Sequence, residues 1–264
     1  MTSTIVLISG ANRGLGKGLV ELYLAKPNHT VIAANRDPEN ASSKALAELT
    51  TGSGSRLIVV KTDASVETDA LEAVKALSFQ GIEHIDVVIA NAGVSYTWPK
   101  VSELKIEDLQ GHLVPNVFGV VWLYQATLPF LLKSNNPKFA TIGSTAGNLE
   151  IPGCLLEVRK RDYVDNSCRN QPPIPNAAYG TSKAAVHWLT KRIDAEEEKL
   201  TAFVISPGWC KTEMGNTGAR HFGMAEAIVE PADSCRAMVE LIDAATKETH
   251  GGMLWDVQDG LLAW

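Results

Sequence analysis

The sequence predicts an α/β fold in which a doubly wound parallel sheet carries helices on both faces. Two observations predict it. Short, apolar, β-branched runs alternate with stretches long enough for crossover helices, and the first of those runs leads directly into a glycine-rich turn. With 264 residues, 45% of them hydrophobic, the chain suits one large domain spanning 1–264 better than two small ones.

Strands are expected at 5–9, 30–34, 57–61, 87–90, 139–143, 202–206 and 253–256. Each is brief, largely apolar and bounded by polar or glycine segments, the pattern of strands covered on both faces. Helices are expected at 16–24, 67–77, 106–132 and 177–200, long enough for right-handed crossovers. No repeat or linker interrupts the alternation.

Several function classes are excluded at this level. Residues 1–4 lack a basic region, the apolar run 5–8 is too short for a signal, and no later run reads as long enough to span a bilayer. A cytoplasmic protein with no membrane partner is therefore expected. Cys154, Cys168, Cys210 and Cys235 form no C-x-x-C pair and have no histidine at metal spacing, so reduced thiols and no metal are expected. The net charge of -6 with dispersed basic residues argues against a nucleic-acid partner, Arg159-Lys160-Arg161 being the only basic run.

The turn Gly10-Ala11-Asn12-Arg13-Gly14-Leu15-Gly16 follows the first strand and opens a helix. Glycines there permit unusual backbone angles and let main-chain N–H groups approach a pyrophosphate at the positive end of the helix, as in a Rossmann-type nucleotide site. Ser9, Gly10, Asn12, Arg13, Gly14, Leu15 and Gly16 are the expected cradle. About 20 residues on, where such a site reads the adenosine ribose, stands Arg36. An acidic residue would favour NAD; Arg36, helped by Arg13, suits the 2′-phosphate of NADP(H). Asp37 is the competing ribose ligand if the strand ends later, and before Pro38 it equally suits a helix cap.

At this point the chain resembles the short-chain dehydrogenase/reductase family nearly end to end. The family's Thr-Gly-x-x-x-Gly-x-Gly turn appears with Ser9 for threonine. Its adenine-contacting aspartate corresponds to Asp63, followed by Ala64, and its Asn-Ala-Gly motif to Asn91, Ala92 and Gly93. The helix asparagine maps to Asn116, the serine after the fifth strand to Ser144, and the Tyr-x-x-x-Lys pair to Tyr179 and Lys183. Pro207 and Gly208 match the proline-glycine turn, and Thr212 the threonine that meets the nicotinamide carboxamide.

The spacing of Tyr179 and Lys183 places both on one helix face. A phenol titrates near ~10 in water, so lowering it needs a positive charge, expected from Lys183 and oxidised nicotinamide. The resemblance implies that Tyr179 protonates the developing alkoxide, Ser144 hydrogen-bonds the same oxygen, and Lys183 holds the cofactor ribose. It also implies that Asn116 orients a water linking Lys183 to solvent, and Pro115 removes a helical hydrogen bond beside it. The family further implies a homodimer or homotetramer packed through the helix beginning near Ala177. Trp209, His221 and Phe222 fall where the family builds its substrate lid; an aromatic substrate and simple lid packing both explain them.

Ser144 and Tyr179 stand 35 positions apart, more than is usual in the family, so an insertion is expected over 150–175. It reads either as a lid over the substrate cleft or as retained intron sequence, because Val158-Arg159 is what a common splice donor would encode. In Asn176–Lys183, in Leu200–Gly208, and in Thr246–Thr249 with Asp259-Gly260 and Trp264, the chain resembles fungal ketoreductases such as norsolorinic acid ketoreductase within the family, which implies a polyketide-like ketone of secondary metabolism. Two functions follow: NADPH-dependent reversible reduction of a ketone or aldehyde carbonyl to an alcohol, or a non-catalytic NADP-binding regulator on the same scaffold.

Overall fold

The computed structural model describes residues 3–149 and 174–264. The expected insertion therefore lies outside the described residues, except for its last two, as do Cys154, Cys168 and the basic run. The chain begins with β1 (Thr4–Ser9), α1 (Gly14–Ala25), β2 (His29–Asn35), the short α2 (Ala41–Lys44), β3 (Arg56–Lys61), α3 (Asp69–Phe79) and β4 (Val87–Ala90). It continues through α4 (Ile106–Leu113), α5 (Gly119–Leu131), β5 (Lys138–Ile142), α6 (Ala177–Glu196) and β6 (Thr201–Ser206). Helices α7 (Glu213–His221), α8 (Pro231–Ala244) and α9 (Lys247–His250) precede β7 (Leu254–Asp256) and β8 (Gly260–Leu262).

All eight strands join one sheet in the order β3-β2-β1-β4-β5-β6-β7-β8, parallel except for β8 against β7. The chain winds outward from β1 to β3 and then returns to place β4 beside β1. That reversal opens a crevice at the carboxyl ends of β1 and β4, where doubly wound sheets take their ligands. The lack of alternation in the strands has a direct cause. Ile5 and Leu7 pack with Leu77, Leu123, Phe139, Val186 and Ile193 on one face, while Val6 and Ile8 pack with Leu19, Tyr23, Phe203, Met238 and Ile242 on the other. Both faces are dry, so successive residues of a strand must both be apolar.

The seven expected strands are present with ends shifted by a residue at most, but β8 was not expected. Three residues after a tight turn carry too little pattern to read. Helices α7 and α8 were not named either. The helix expected over 177–200 stops at Glu196, and the one expected over 106–132 runs from Ile106 to Leu131 with a π-helical turn inside it. Between α4 and α5 lies a π-helical turn, Val114–Phe118, in which the Gly119 N–H reaches back to the Val114 carbonyl. Pro115, lacking an N–H, stands at its start.

One expectation is overturned here. The continuous helical stretch Ile106–Leu131 is long and apolar enough to cross a membrane by length and composition. In the fold one side of it packs into the core: Val117, Val120, Leu123, Ala126 and Leu131 are buried, the last four among the residues packed on the sheet.

Candidate active site

The turn after β1 adopts left-handed backbone at Gly10 (φ 63) and Gly14 (φ 53), which a side chain would strain. A Cβ at Gly16 would stand 2.2 Å from the Gly10 carbonyl oxygen, so this glycine sets how closely α1 can follow the turn. The N-cap of α1 is Arg13; no side chain caps the helix and its first turn holds no acidic residue. Its leading N–H groups thus keep their donors for an anion, which fits a dinucleotide pyrophosphate.

Two expected cofactor residues build this cradle rather than line it. The Ser9 hydroxyl accepts from the N–H groups of Asn91 (3.1 Å) and Ala92 (3.0 Å). Asn91 Nδ2 in turn donates to the carbonyls of Ser9 (2.9 Å) and Gly10 (3.1 Å). Asn35, which sequence reasoning missed, is fully buried and its Oδ1 accepts the Ala11 N–H at 2.9 Å. Asn12 Nδ2 donates to the Ser42 hydroxyl at 2.7 Å, and Leu15 packs against the core.

At the adenosine end Arg36 is exposed just beyond β2. Arg13 does not join it: its guanidinium pairs with Glu213 of α7 at 2.8 Å. The competing reading of Asp37 resolves against a helix cap, since its carboxylate accepts the Glu39 N–H at 2.9 Å while Asn40 caps α2. Asp63 accepts the Ser65 N–H at 2.9 Å, and its own N–H donates to buried Asp69. A Cβ on Gly119 would come within 2.4 Å of the Ala64 carbonyl oxygen, so that glycine admits the turn carrying Asp63 and Ala64.

The reacting groups converge where β5 ends against α6. Ser144 extends from β5 and its hydroxyl accepts the Ala146 N–H at 3.2 Å, capping a short 3₁₀ turn. The Ser144 hydroxyl lies near enough to Tyr179 to favour its phenolate form. Lys183, one turn on and buried, donates from Nζ to the Ile142 carbonyl at 2.6 Å, with Nζ 5.6 Å from the centre of the Tyr179 ring.

The expected lowering of the phenol is not what these residues produce. Burial pushes Tyr179 up to about 12, with the Ser144 hydroxyl opposing. Burial likewise brings Lys183 down to about 8. The chain's own groups therefore hold Tyr179 as the neutral phenol, the form that can donate a proton.

Asn116 sits in the π turn with its side chain committed to protein partners. Its Oδ1 accepts the Val94 N–H at 2.7 Å, and Nδ2 donates to the Val94 carbonyl and the Ser182 hydroxyl, both at 2.9 Å. The side chain thus braces the segment after Gly93 against α6, and both its amide protons are used in doing so.

Beyond β6, Gly208 turns with φ 74. The Pro207 carbonyl accepts from Ser234, and the Thr212 hydroxyl caps α7 by accepting the Gly215 N–H at 3.1 Å. Thr212 lies against the glycine turn, 3.5 Å from where a Gly14 Cβ would stand. Its hydroxyl proton remains available to a carboxamide.

Trp209, His221 and Phe222 do come together, and they meet Trp98 from the segment after β4. Ring centres lie 4.9 Å apart for Trp98 and His221, 5.9 Å for Trp98 and Phe222, and 6.2 Å for Trp209 and Phe222. Tyr96 stacks on buried His112 at 4.2 Å, and His112 stands edge-on to Tyr179 at 6.4 Å. Sequence reasoning missed Tyr96, Trp98, His112 and His187. Two of these carried a signal: His112 is four residues before Asn116, and His187 four after Lys183, the spacing that shares a helix face.

With this geometry in place, the short chain dehydrogenase family matches residues 4–155, and the chain belongs to the short-chain dehydrogenase/reductase family. It is an oxidoreductase of a family that uses NAD(H) or NADP(H). Among relatives, the chain is 38% identical over 251 residues to norsolorinic acid ketoreductase of Aspergillus parasiticus, covering 94% of this chain and 86% of that one. It is 37% identical over 255 residues to short-chain dehydrogenase srdF of Neurospora crassa, with 94% and 93% covered. The fold matches NADPH-bound carbonyl reductase from chicken fatty liver with a TM-score of 0.77 and 22% identity, covering all of both chains.

Proposed function

We propose that the protein reduces the ketone of an aromatic, polyketide-like substrate with NADPH. The observation that carries it is the convergence of Ser144, Tyr179 and buried Lys183 where β5 ends against α6. Bound nicotinamide supplies the hydride. Tyr179 gives its proton to the forming alkoxide, and the Ser144 hydroxyl donates to the same oxygen. Lys183, held by the Ile142 carbonyl, stands ready for the ribose hydroxyls. An aromatic substrate is supported by the cluster of the Trp98, Trp209 and Phe222 rings, drawn from the segments after β4 and β6, and by the likeness to a norsolorinic acid ketoreductase.

NADP(H) is supported by Arg36, an exposed cation at the end of β2. A homodimer or homotetramer through α6 is supported by Trp188, which stands 62% exposed on that helix; a sedimentation mass in solution equal to one chain would remove it. Cytoplasmic residence remains part of the proposal, tested by imaging a tagged chain. The central test is titration with NADPH and NADH followed by a panel of aromatic ketones. Ketone-dependent NADPH oxidation supports the function, and tight binding without turnover of any ketone or aldehyde overturns it. Replacing Arg36 by Asp should shift the NADPH-to-NADH preference by ~10- to 100-fold, the worth of a charge-assisted contact. An unchanged ratio would place the 2′-phosphate elsewhere.

A further inference from the structure

Helix α6 is fastened to the end of β5 at three points. Thr190 and Thr141 share a hydroxyl hydrogen bond at 2.8 Å, Lys183 Nζ donates to the Ile142 carbonyl, and the Ser144 N–H donates to His187 Nε2 at 3.3 Å. The third fastening reaches the residue whose hydroxyl meets Tyr179. His187 is 4% exposed, and its imidazole lies so close to Gly143 that a Cβ there would stand 2.5 Å from Nε2. Glycine at 143 is thus what admits the ring to the Gly143–Ser144 main chain. The imidazole also makes an edge-type contact with the Trp264 ring, 6.0 Å between centres.

We propose that His187 is a positioning residue for the reduction: by accepting the Ser144 main-chain N–H it fixes where the Ser144 hydroxyl stands beside Tyr179. The role rests on the reductase function proposed above. An accepting Nε2 puts the ring proton on Nδ1, so only the neutral ring can serve. Burial and the nearby Lys183 charge keep it neutral, bringing its pKa down to about 3. Without the acceptor the Ser144 N–H would lose its partner, and the turn from Ser144 to Gly147 would be free to shift. A displacement of about 1 Å at a reacting group costs on the order of 100-fold in rate.

Three full-length variants with NADPH bound separate the acceptor from mere packing. In His187→Gln the side-chain carbonyl oxygen lies as many bonds from Cβ as Nε2. His187→Asn reaches only the position of Nδ1, and His187→Leu has no acceptor. We expect His187→Leu and His187→Asn to lower kcat roughly 10- to 100-fold with KM for NADPH little changed, and His187→Gln to restore most of it. Deuterium exchange at the Ser144 amide should quicken in the first two and stay slow in the third.

Wild-type kcat in His187→Asn or His187→Leu, or equal losses in Asn and Gln variants, would overturn the role. If the Leu variant does not fold, the Asn and Gln pair decides. A wild-type protein that reduces no ketone would refute the reductase function instead; the exchange measurement would still stand. Unchanged Ser144 protection in His187→Asn would then overturn the positioning contact by itself.

Discussion

The two ends of the cleft are built from different materials. At the glycine-turn end, Ser9, Asn35 and Asn91 are neutral, and they tie main-chain groups of β1, β2 and β4 together. At the catalytic end, Tyr179, Lys183 and His187 are ionisable groups in one enclosed cluster, each displaced by burial toward its uncharged form. The first arrangement stabilises the fold, whereas the second opposes it and holds protons where a carbonyl can use them. Opposite signs of mutational effect should follow, and they give a direct way to break the comparison.

The largest effect is expected on rate. Replacing Tyr179 by Phe keeps the ring beside His112 and removes only the proton donor, so ketone reduction should fall by ~10²- to 10⁴-fold. NADPH affinity, followed by nicotinamide fluorescence, should stay near wild type. Retained turnover would show that the proton comes from elsewhere.

Next comes stability at the catalytic end. Burial lowers Lys183 from 10.5 to about 8, so at pH 7 its charge opposes folding by up to about 3 kcal/mol. Lys183→Met should therefore raise the unfolding free energy at pH 7 while abolishing activity, less whatever the Ile142 hydrogen bond contributed. The sign of the pH dependence follows from proton uptake. Between about pH 8 and 10.5 the unfolded chain holds a proton that the folded chain has released, so this group makes stability rise with pH through that window. Denaturant unfolding of the wild type should show that increment and the Met variant should lack it. Equal slopes would mean that Lys183 is solvated in the folded protein.

At the other end the sign reverses. Ser9→Ala leaves the part-buried Ala92 N–H without its acceptor and leaves the Asn91 N–H only the Ile89 carbonyl at 3.0 Å, and should destabilise the protein by ~1–3 kcal/mol, the cost of an unsatisfied donor. No titrating group is involved, so the loss should be the same at pH 6 and pH 9. A Ser9→Thr variant, which restores the hydroxyl, should recover it. Were Ser9→Ala neutral in chemical denaturation, the hydroxyl would be serving a ligand rather than the fold.

What the sequence made legible follows the same division. The glycine turn, Ser144 and the Tyr179–Lys183 pair lie in short motifs whose spacing states their geometry, and the strands declare themselves because both sheet faces are covered. Ser9 was legible as a cofactor residue but not as the tie between β1 and the segment after β4, because its partners are more than 80 positions away. The pairing of Arg13 with Glu213 and of His187 with Ser144 is hidden for the same reason. The irregularity in the helix over 106–132 was half legible: Pro115 announces a missing donor, but not that a π turn would absorb it. For the phenol, the charge of Lys183 is legible in the spacing, but the burial that raises Tyr179 is not. Whether Lys183 can lower Tyr179 depends on how dry the pocket is, and no spacing states that.

The smallest effect concerns a link between the two ends. Arg13 leaves the glycine turn and pairs with Glu213 in the first turn of α7, directly after Thr212. Both side chains are more than two-thirds exposed, at 68% and 77%, so the pair should add little to folding stability. It can still matter for binding, because Arg13 must exchange Glu213 for the 2′-phosphate if it is to assist Arg36. Glu213→Gln removes the competitor without removing the cap of α7, which is the Thr212 hydroxyl. NADPH affinity should then rise by no more than about fivefold, the range of an exposed pair, while NADH affinity stays put. Added salt should erase the difference, since the Debye length falls to about 3 Å at 1 M. An equal gain for both cofactors would mean that Glu213 acts through the position of α7 rather than through Arg13. No gain for NADPH would leave Arg36 to hold the phosphate alone, and the two ends of the cleft would then be independent.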